Sequence, residues 1–235
     1  MAICIILLVF GALCLTLFLI EKIRGYSLRE ALIKSFTSFI FIALAAYSNY
    51  QNGNHPFGVF VICALALGML GDIWLELKYV FKEHDRMFTF SGFISFALGH
   101  VLYIVGMMTV LYDNYPWFAY AIPILFGLIC GGAVLAMEKP LKMKYCEYKL
   151  ICFIYGSLLF TTLGTTLFLC IYNSFQVVSF TMLFAGAILF AISDLILSGT
   201  YFGQGKERPV DLISNSVTYY MAQYIIAFSL FFLLK

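Results

Sequence analysis

The chain has 235 residues, 63% hydrophobic and only 11% charged, with a formal net charge of +2. A soluble domain is about half apolar and about a quarter charged, and one of this size still exposes much of its surface. The composition therefore excludes an ordinary water-soluble domain and points to lipid as the solvent.

Eight apolar stretches follow in order, each long enough to cross roughly 30 Å of hydrocarbon as a helix. The first, 1–20, has neither a basic leading region nor a small-residue cleavage site, so it reads as a membrane helix and not as a cleaved signal. The second, 32–50, ends at the breaker Asn52-Gly53-Asn54-His55-Pro56. The third, 57–77, carries Asp72 near its end, within Gly71-Asp72-Ile73-Trp74-Leu75, and Glu76 one turn later, which reads as reaching the interface. The fourth, 88–111, places Gly92, Phe96 and His100 at four-residue intervals, followed by Tyr103. Asp113-Asn114-Tyr115-Pro116 breaks the chain before the fifth, 117–137, whose internal Pro123 neighbouring helices would tolerate. The sixth, 149–171, carries Tyr155 and Thr162 on one face; the seventh, 177–198, carries Asp194. The eighth, 212–234, is entered by a polar stripe of Asp211, Asn215, Tyr219 and Gln223 at four-residue spacing. The expectation is an all-α, polytopic membrane protein forming one eight-span domain over 1–235, with sequential helices as neighbours.

Charge placement sets the orientation. Lys22, Arg24, Arg29 and Lys34 flank the 1–2 connection, and Lys78, Lys82 and Arg86 the 3–4 connection. Lys139, Lys142, Lys144 and Lys149 flank the 5–6 connection, and Lys206 and Arg208 the 7–8 connection. The other three connections have no Lys or Arg, and Lys235 ends the chain. The positive-inside rule then places the odd connections in the cytoplasm and both termini outside. The membrane would be that of the endoplasmic reticulum in a eukaryote, or the inner membrane in a bacterium. Topology explains the basic loops, so nucleic acid is not an expected partner.

Nothing implies a metal or cofactor. The seven cysteines form no CxxC pair, and His55, His84 and His100 fall at different depths or sides. No HExxH, G-x-S-x-G or phosphate-binding glycine pattern is present. The chemistry lies instead in ionisable groups within apolar stretches, which cost several kcal/mol and default to function. Asp72 and Asp194 share a depth, roughly 6–8 Å below the same boundary. His100, with Tyr103, Asn215, Tyr219, Gln223 and Tyr155, is expected to complete their cavity. Gly71-Asp72 leads on to His100 much as Ser193-Asp194 leads on to Gln223, which predicts a 4 + 4 parallel repeat with the aspartates facing each other across its axis. Two adjacent carboxyls hold one proton between them and supply an acid and a base. That suits acid-assisted hydrolysis or proton-coupled transport of a small or lipid-like solute, and the residues alone leave both open.

The pieces Gly71-Asp72-Ile73-Trp74-Leu75, Phe88-x3-Gly92-x3-Phe96-x3-His100-x2-Tyr103, Ser193-Asp194 with Phe202, and Tyr219-Tyr220-Met221-Ala222-Gln223-Tyr224 together resemble the YhhN-type lysoplasmalogenase family. The resemblance covers stretches three to eight. It implies a membrane hydrolase without metal, cleaving the vinyl ether of a lysophospholipid that lacks the sn-2 acyl chain. Products would be a fatty aldehyde and glycerophosphoethanolamine or glycerophosphocholine. It also implies catalytic roles for Asp72 and Asp194. The six polar residues named above would bind substrate and order water, and Lys78 or Arg208 would meet the phosphate.

Overall fold

The computed structural model describes residues 1–111, 115–203 and 208–233. The expected turn at Asp113-Asn114, Lys206 and Lys235, and the last residue of the eighth stretch lie outside them. Eight long helices run in order: α1 Ala2–Arg24, α2 Leu28–Gln51, α3 Pro56–Val80, α4 Asp85–Leu111, α5 Phe118–Ala136, α6 Lys149–Tyr172, α7 Val178–Phe202 and α8 Pro209–Ser229. Among the described residues there is no strand.

Seven of these helices, α1 to α7, are long and apolar enough to cross a membrane. The eighth helix expected to span, α8, is present but is not among these seven. This helix has the length, but its Asp211, Asn215, Ser216, Thr218, Tyr219 and Gln223 leave it without an apolar stretch of the kind the other seven contain. Ser216, Tyr219, Tyr220 and Gln223 turn inward and are buried, so its polarity belongs to the interior.

Local chemistry sets the helix ends at the charged pole. Ser27 caps α2, its hydroxyl accepting the Glu30 N–H at 3.1 Å. Gly25 adopts φ 128°, a conformation L side chains avoid, and lets α1 turn directly into α2. That turn brings Lys22 beside Glu30.

Six helices form a closed ring in the order α2, α3, α4, α6, α7, α8, with α8 returning to α2. α1 lies outside the ring against α2 and α8, and α5 lies outside against α6. Sequential helices are thus neighbours except at α4, which packs on α6 and leaves α5 peripheral. Small residues make the close seams: a Cβ on Gly127 or Gly131 of α5 would run into Ser157 of α6, and one on Gly71 of α3 into the Phe96 ring of α4.

Candidate functional site

Asp72 and Asp194 hold the same register, each sixteen residues after its helix begins at Pro56 or Val178. Both line one polar cavity with about 560 Å³ of unfilled space, which runs inward from Lys22, Tyr26 and Tyr79 at the helix ends. Asp194 also lines a second space of about 700 Å³, walled by Phe93, Val134, Cys152, Leu159, Phe160 and Phe202. The two spaces share Leu75, Phe96, Asp194, Leu197 and Tyr201. Asp194 therefore stands at the boundary between a polar cavity and an apolar one.

The two carboxyls have different partners. Asp72 is buried, 3% exposed. Its Oδ2 accepts from Tyr219 at 2.8 Å and from Ser38 at 3.0 Å, and its Oδ1 lies 3.2 Å from the Lys34 Nζ. Asp194 is only partly buried and accepts a hydrogen bond from the Tyr155 hydroxyl. Among the described residues no cation lies within ion-pair distance of it. The Phe96 ring meets both donors edge-on, with centroids 6.1 Å from Tyr219 and 6.5 Å from Tyr155. One aromatic wall thus connects the two carboxyls.

A buried charge network extends from Asp72 toward the helix ends. Lys34 also reaches Glu76 at 2.7 Å, Glu76 accepts from Lys22 at 2.9 Å, and Lys22 lies 3.4 Å from Glu30. Glu76 and Glu30 are 3% and 1% exposed. Glu76 accordingly does not reach the surface as its position suggested: it joins α1, α2 and α3. In the sequence, Lys22 and Lys34 are explained by topology as basic residues at helix ends, and Glu30 beside them has no motif to mark it. A signal was present, since Glu30, Lys34 and Ser38 recur every four residues along one face of α2.

The six expected binding residues divide into two groups. Tyr155 and Tyr219 donate to the aspartates, and Asn215 lines their cavity. Asn215 is largely committed to α7: its Nδ2 donates to the Ser193 carbonyl and hydroxyl at 2.8 and 2.9 Å, fixing the helix pair beside Asp194. His100, Tyr103 and Gln223 lie deeper, around two inner spaces that neither aspartate lines. Of the two cations expected to meet a phosphate, Lys78 sits 3.4 Å over the Tyr201 ring and Arg208 forms a two-bond pair with Asp211.

The apolar space is closed at the charged pole by the α5–α6 connection. Tyr145 packs on Phe202, the Lys144 N–H donates to the Phe202 carbonyl at 2.9 Å, and the Tyr145 N–H donates to Glu138 at 3.2 Å. The Lys149 ammonium holds the Glu138 carboxyl below the usual carboxylate range, helped by that N–H.

A family model matches residues 30–230, from the first turn of α2 to the end of α8. The chain belongs to the YhhN family. The match takes in α2, which the sequence resemblance had left out, and so includes Lys34 along with both aspartates. Within this YhhN chain α1 falls outside the match, consistent with its place outside the ring. No curated protein and no solved structure matches the chain.

Proposed function

We propose that this YhhN-family protein is a multi-pass membrane hydrolase that cleaves the vinyl ether of lysoplasmalogen. The observation that carries the reading is Asp194, a carboxyl set between a polar cavity that also holds Asp72 and an apolar space of about 700 Å³. A lysolipid with a 1-alkenyl chain presents that junction of polar and apolar parts, with the reactive bond where they meet. The chain would occupy the apolar space, and the glycerol and phosphate would face the pole lined by Lys22, Tyr26 and Tyr79.

The chemistry divides between unlike carboxyls. Asp72, ion-paired with Lys34 and accepting from two hydroxyls, is the fixed anion. Asp194 faces apolar groups with no cation at hand, where an unpaired charge is costly, and it supplies the proton. Protonating the β-carbon of R–CH=CH–O–R′ gives the oxocarbenium ion R–CH2–CH=O⁺–R′, stabilised by Asp72. Water adds to the cationic carbon and returns a proton to Asp194. The hemiacetal R–CH2–CH(OH)–OR′ then collapses to R–CH2–CHO and HO–R′, one water consumed overall. No residue forms a covalent bond.

We also read the fold as two four-helix halves in parallel repeat. The pairings α1–α2, α2–α3, α3–α4 and α4–α6 recur as α5–α6, α6–α7, α7–α8 and α8–α2. Asp72 and Asp194 share a register, and so do their partners, with Lys34 and Tyr155 each six residues into α2 and α6. On this reading duplication placed the carboxyls opposite each other, and the exchange of a lysine for a tyrosine gave them different roles.

The test is aldehyde release from lysoplasmalogen by protein purified in detergent. Asp194→Asn and Asp72→Asn should each lower kcat by roughly 10²–10⁴-fold, the usual worth of a general acid or base, with native elution; melting should be unchanged for Asp194→Asn and lower for Asp72→Asn, which gives up its ion pair with Lys34. Near-normal turnover in either variant removes that carboxyl from the mechanism, and an inactive native protein rejects the reading.

A further inference from the structure

His100 lies 3% exposed in the middle of α4. Its Nδ1 is 3.1 Å from the Thr162 hydroxyl, and that hydroxyl donates its only proton to the Leu158 carbonyl at 3.0 Å. Thr162 is therefore the acceptor and Nδ1 carries the hydrogen. Thr162 is the described hydrogen-bond partner of the ring and no described acid pairs with it, so a charge there would be uncompensated and costly, and Nε2 presents a bare lone pair. No described group donates to Nε2.

His100 and Tyr103 line two small adjoining spaces, which together have room for about one water. Gln223 lines the smaller, with Gly68 and Gly99 giving it room. The Tyr103 hydroxyl approaches the Gln223 Oε1 only at 3.5 Å, too long to satisfy either group fully. The Gln223 Nε2 and the Tyr219 hydroxyl converge over Gly68, each 3.5 Å from where a Cβ there would stand. Tyr219 in turn donates to Asp72. The Phe96 and Phe190 rings, edge-on at 6.3 Å, separate this compartment from the aspartates.

We infer that the His100 compartment holds one ordered water, bound by the bare Nε2 together with Tyr103 and Gln223, and that this site is the store from which the hydrolytic water reaches Asp72 past Phe96. The pocket needs a small hydrogen-bond donor, and water with two to four polar partners is the occupant such a site retains. The store answers a difficulty in the proposed reaction, on which this part of the inference rests: a lysolipid filling the outer cavities expels the water that its own cleavage consumes. His100 is then a positioning residue that does not touch the substrate.

Radiolytic hydroxyl labelling of the purified protein in ¹⁸O-water, read by mass spectrometry, tests the site without any activity assay. Tyr103 should take up label despite its burial, and His100→Phe should reduce that label to the level of Tyr224, which is buried and lines neither these spaces nor the polar cavity. Equal labelling of Tyr103 in both proteins overturns the water site. Should His100→Phe fail to fold, ¹⁵N-histidine spectra of the native protein decide: an unprotonated Nε2 exchanging magnetisation with water is expected, and a protonated Nε2 overturns the site. In turnover, His100→Phe should lower kcat with KM unchanged, and His100→Gln, which brings an amide acceptor, should restore part of it. A raised KM with unchanged kcat places His100 on the substrate and overturns the store. His100-dependent labelling in a protein that releases no aldehyde leaves the water site standing and removes the hydrolase reading alone.

Discussion

Lys34 is the cation on which both Asp72 and Glu76 depend, since it reaches one at 3.2 Å and the other at 2.7 Å. Removing one partner of a buried pair leaves an uncompensated charge and costs about 3–5 kcal/mol. Lys34→Met is therefore expected to lower stability by about that much, measured by thermal unfolding in detergent. Lys34→Met combined with Asp72→Asn should recover part of the loss, because the neutral amide no longer needs the cation; strict additivity of the two changes would show that the pair is not coupled. Asp72 and Asp194 were legible in the sequence because a carboxylate in an apolar stretch is costly enough to demand a reason. Lys34 was not, because a lysine near a helix end has a cheaper explanation in topology, and only the packing of α2 on α3 and α8 distinguishes the two. Asn215 shows the converse: its spacing marked it as facing the site, but spacing says nothing of the Ser193 groups it is held by.

At the scale of elements, chain order and hydropathy revealed the helices but not their neighbours. α5 follows α4 directly yet packs on α6, because Gly127 and Gly131 offer a flat face to Ser157 and Thr161, and α4 presents its own glycines, Gly92, Gly99 and Gly106, to α3. The polar stripe of α8 was visible, and it also explains why that helix lacks a long apolar stretch like those of the other seven: its polar groups hydrogen-bond inward to α2, α3 and α7. The α5–α6 seam gives a prediction with an internal control. A Cβ on Gly127 would meet the Ser157 backbone carbonyl, which cannot swing aside, whereas one on Gly132 meets nothing within 4 Å. Gly127→Ala should destabilise by about 1–3 kcal/mol, the usual cost of overpacking. Gly132→Ala should be neutral or should gain up to about 1 kcal/mol from helix propensity. Paired melting curves measure both, and equal shifts would mean that α5 does not rest on α6 through this face.

At the scale of the whole molecule, nearly all charge of either sign gathers at one pole. Besides its basic residues that pole carries Glu21, Glu83, Asp85, Glu138 and Glu147, and the network of Glu30, Glu76 and Asp72 hangs below it. The opposite connections hold Asp113 and His55. Orientation in a bilayer follows the lysines and arginines of short loops, acids contributing little, so the charged pole should face the cytoplasm and the polar cavity should open toward the inner leaflet. Cys146 reports this directly, because it is exposed within the α5–α6 connection at that pole. A membrane-impermeant maleimide should leave Cys146 unmodified in intact cells and modify it after permeabilisation, with Cys146→Ser as the control for the other cysteines. A cysteine placed at Gly53, in the α2–α3 connection where an added side chain meets open space, should behave in the opposite way. Its positive φ of 79° puts some strain on that variant, so its expression is checked alongside. Labelling of Cys146 from outside would reverse the orientation and direct the cavity to the outer leaflet. The substrate would then have to come from the opposite lipid pool, while the carboxyl geometry stayed as it is.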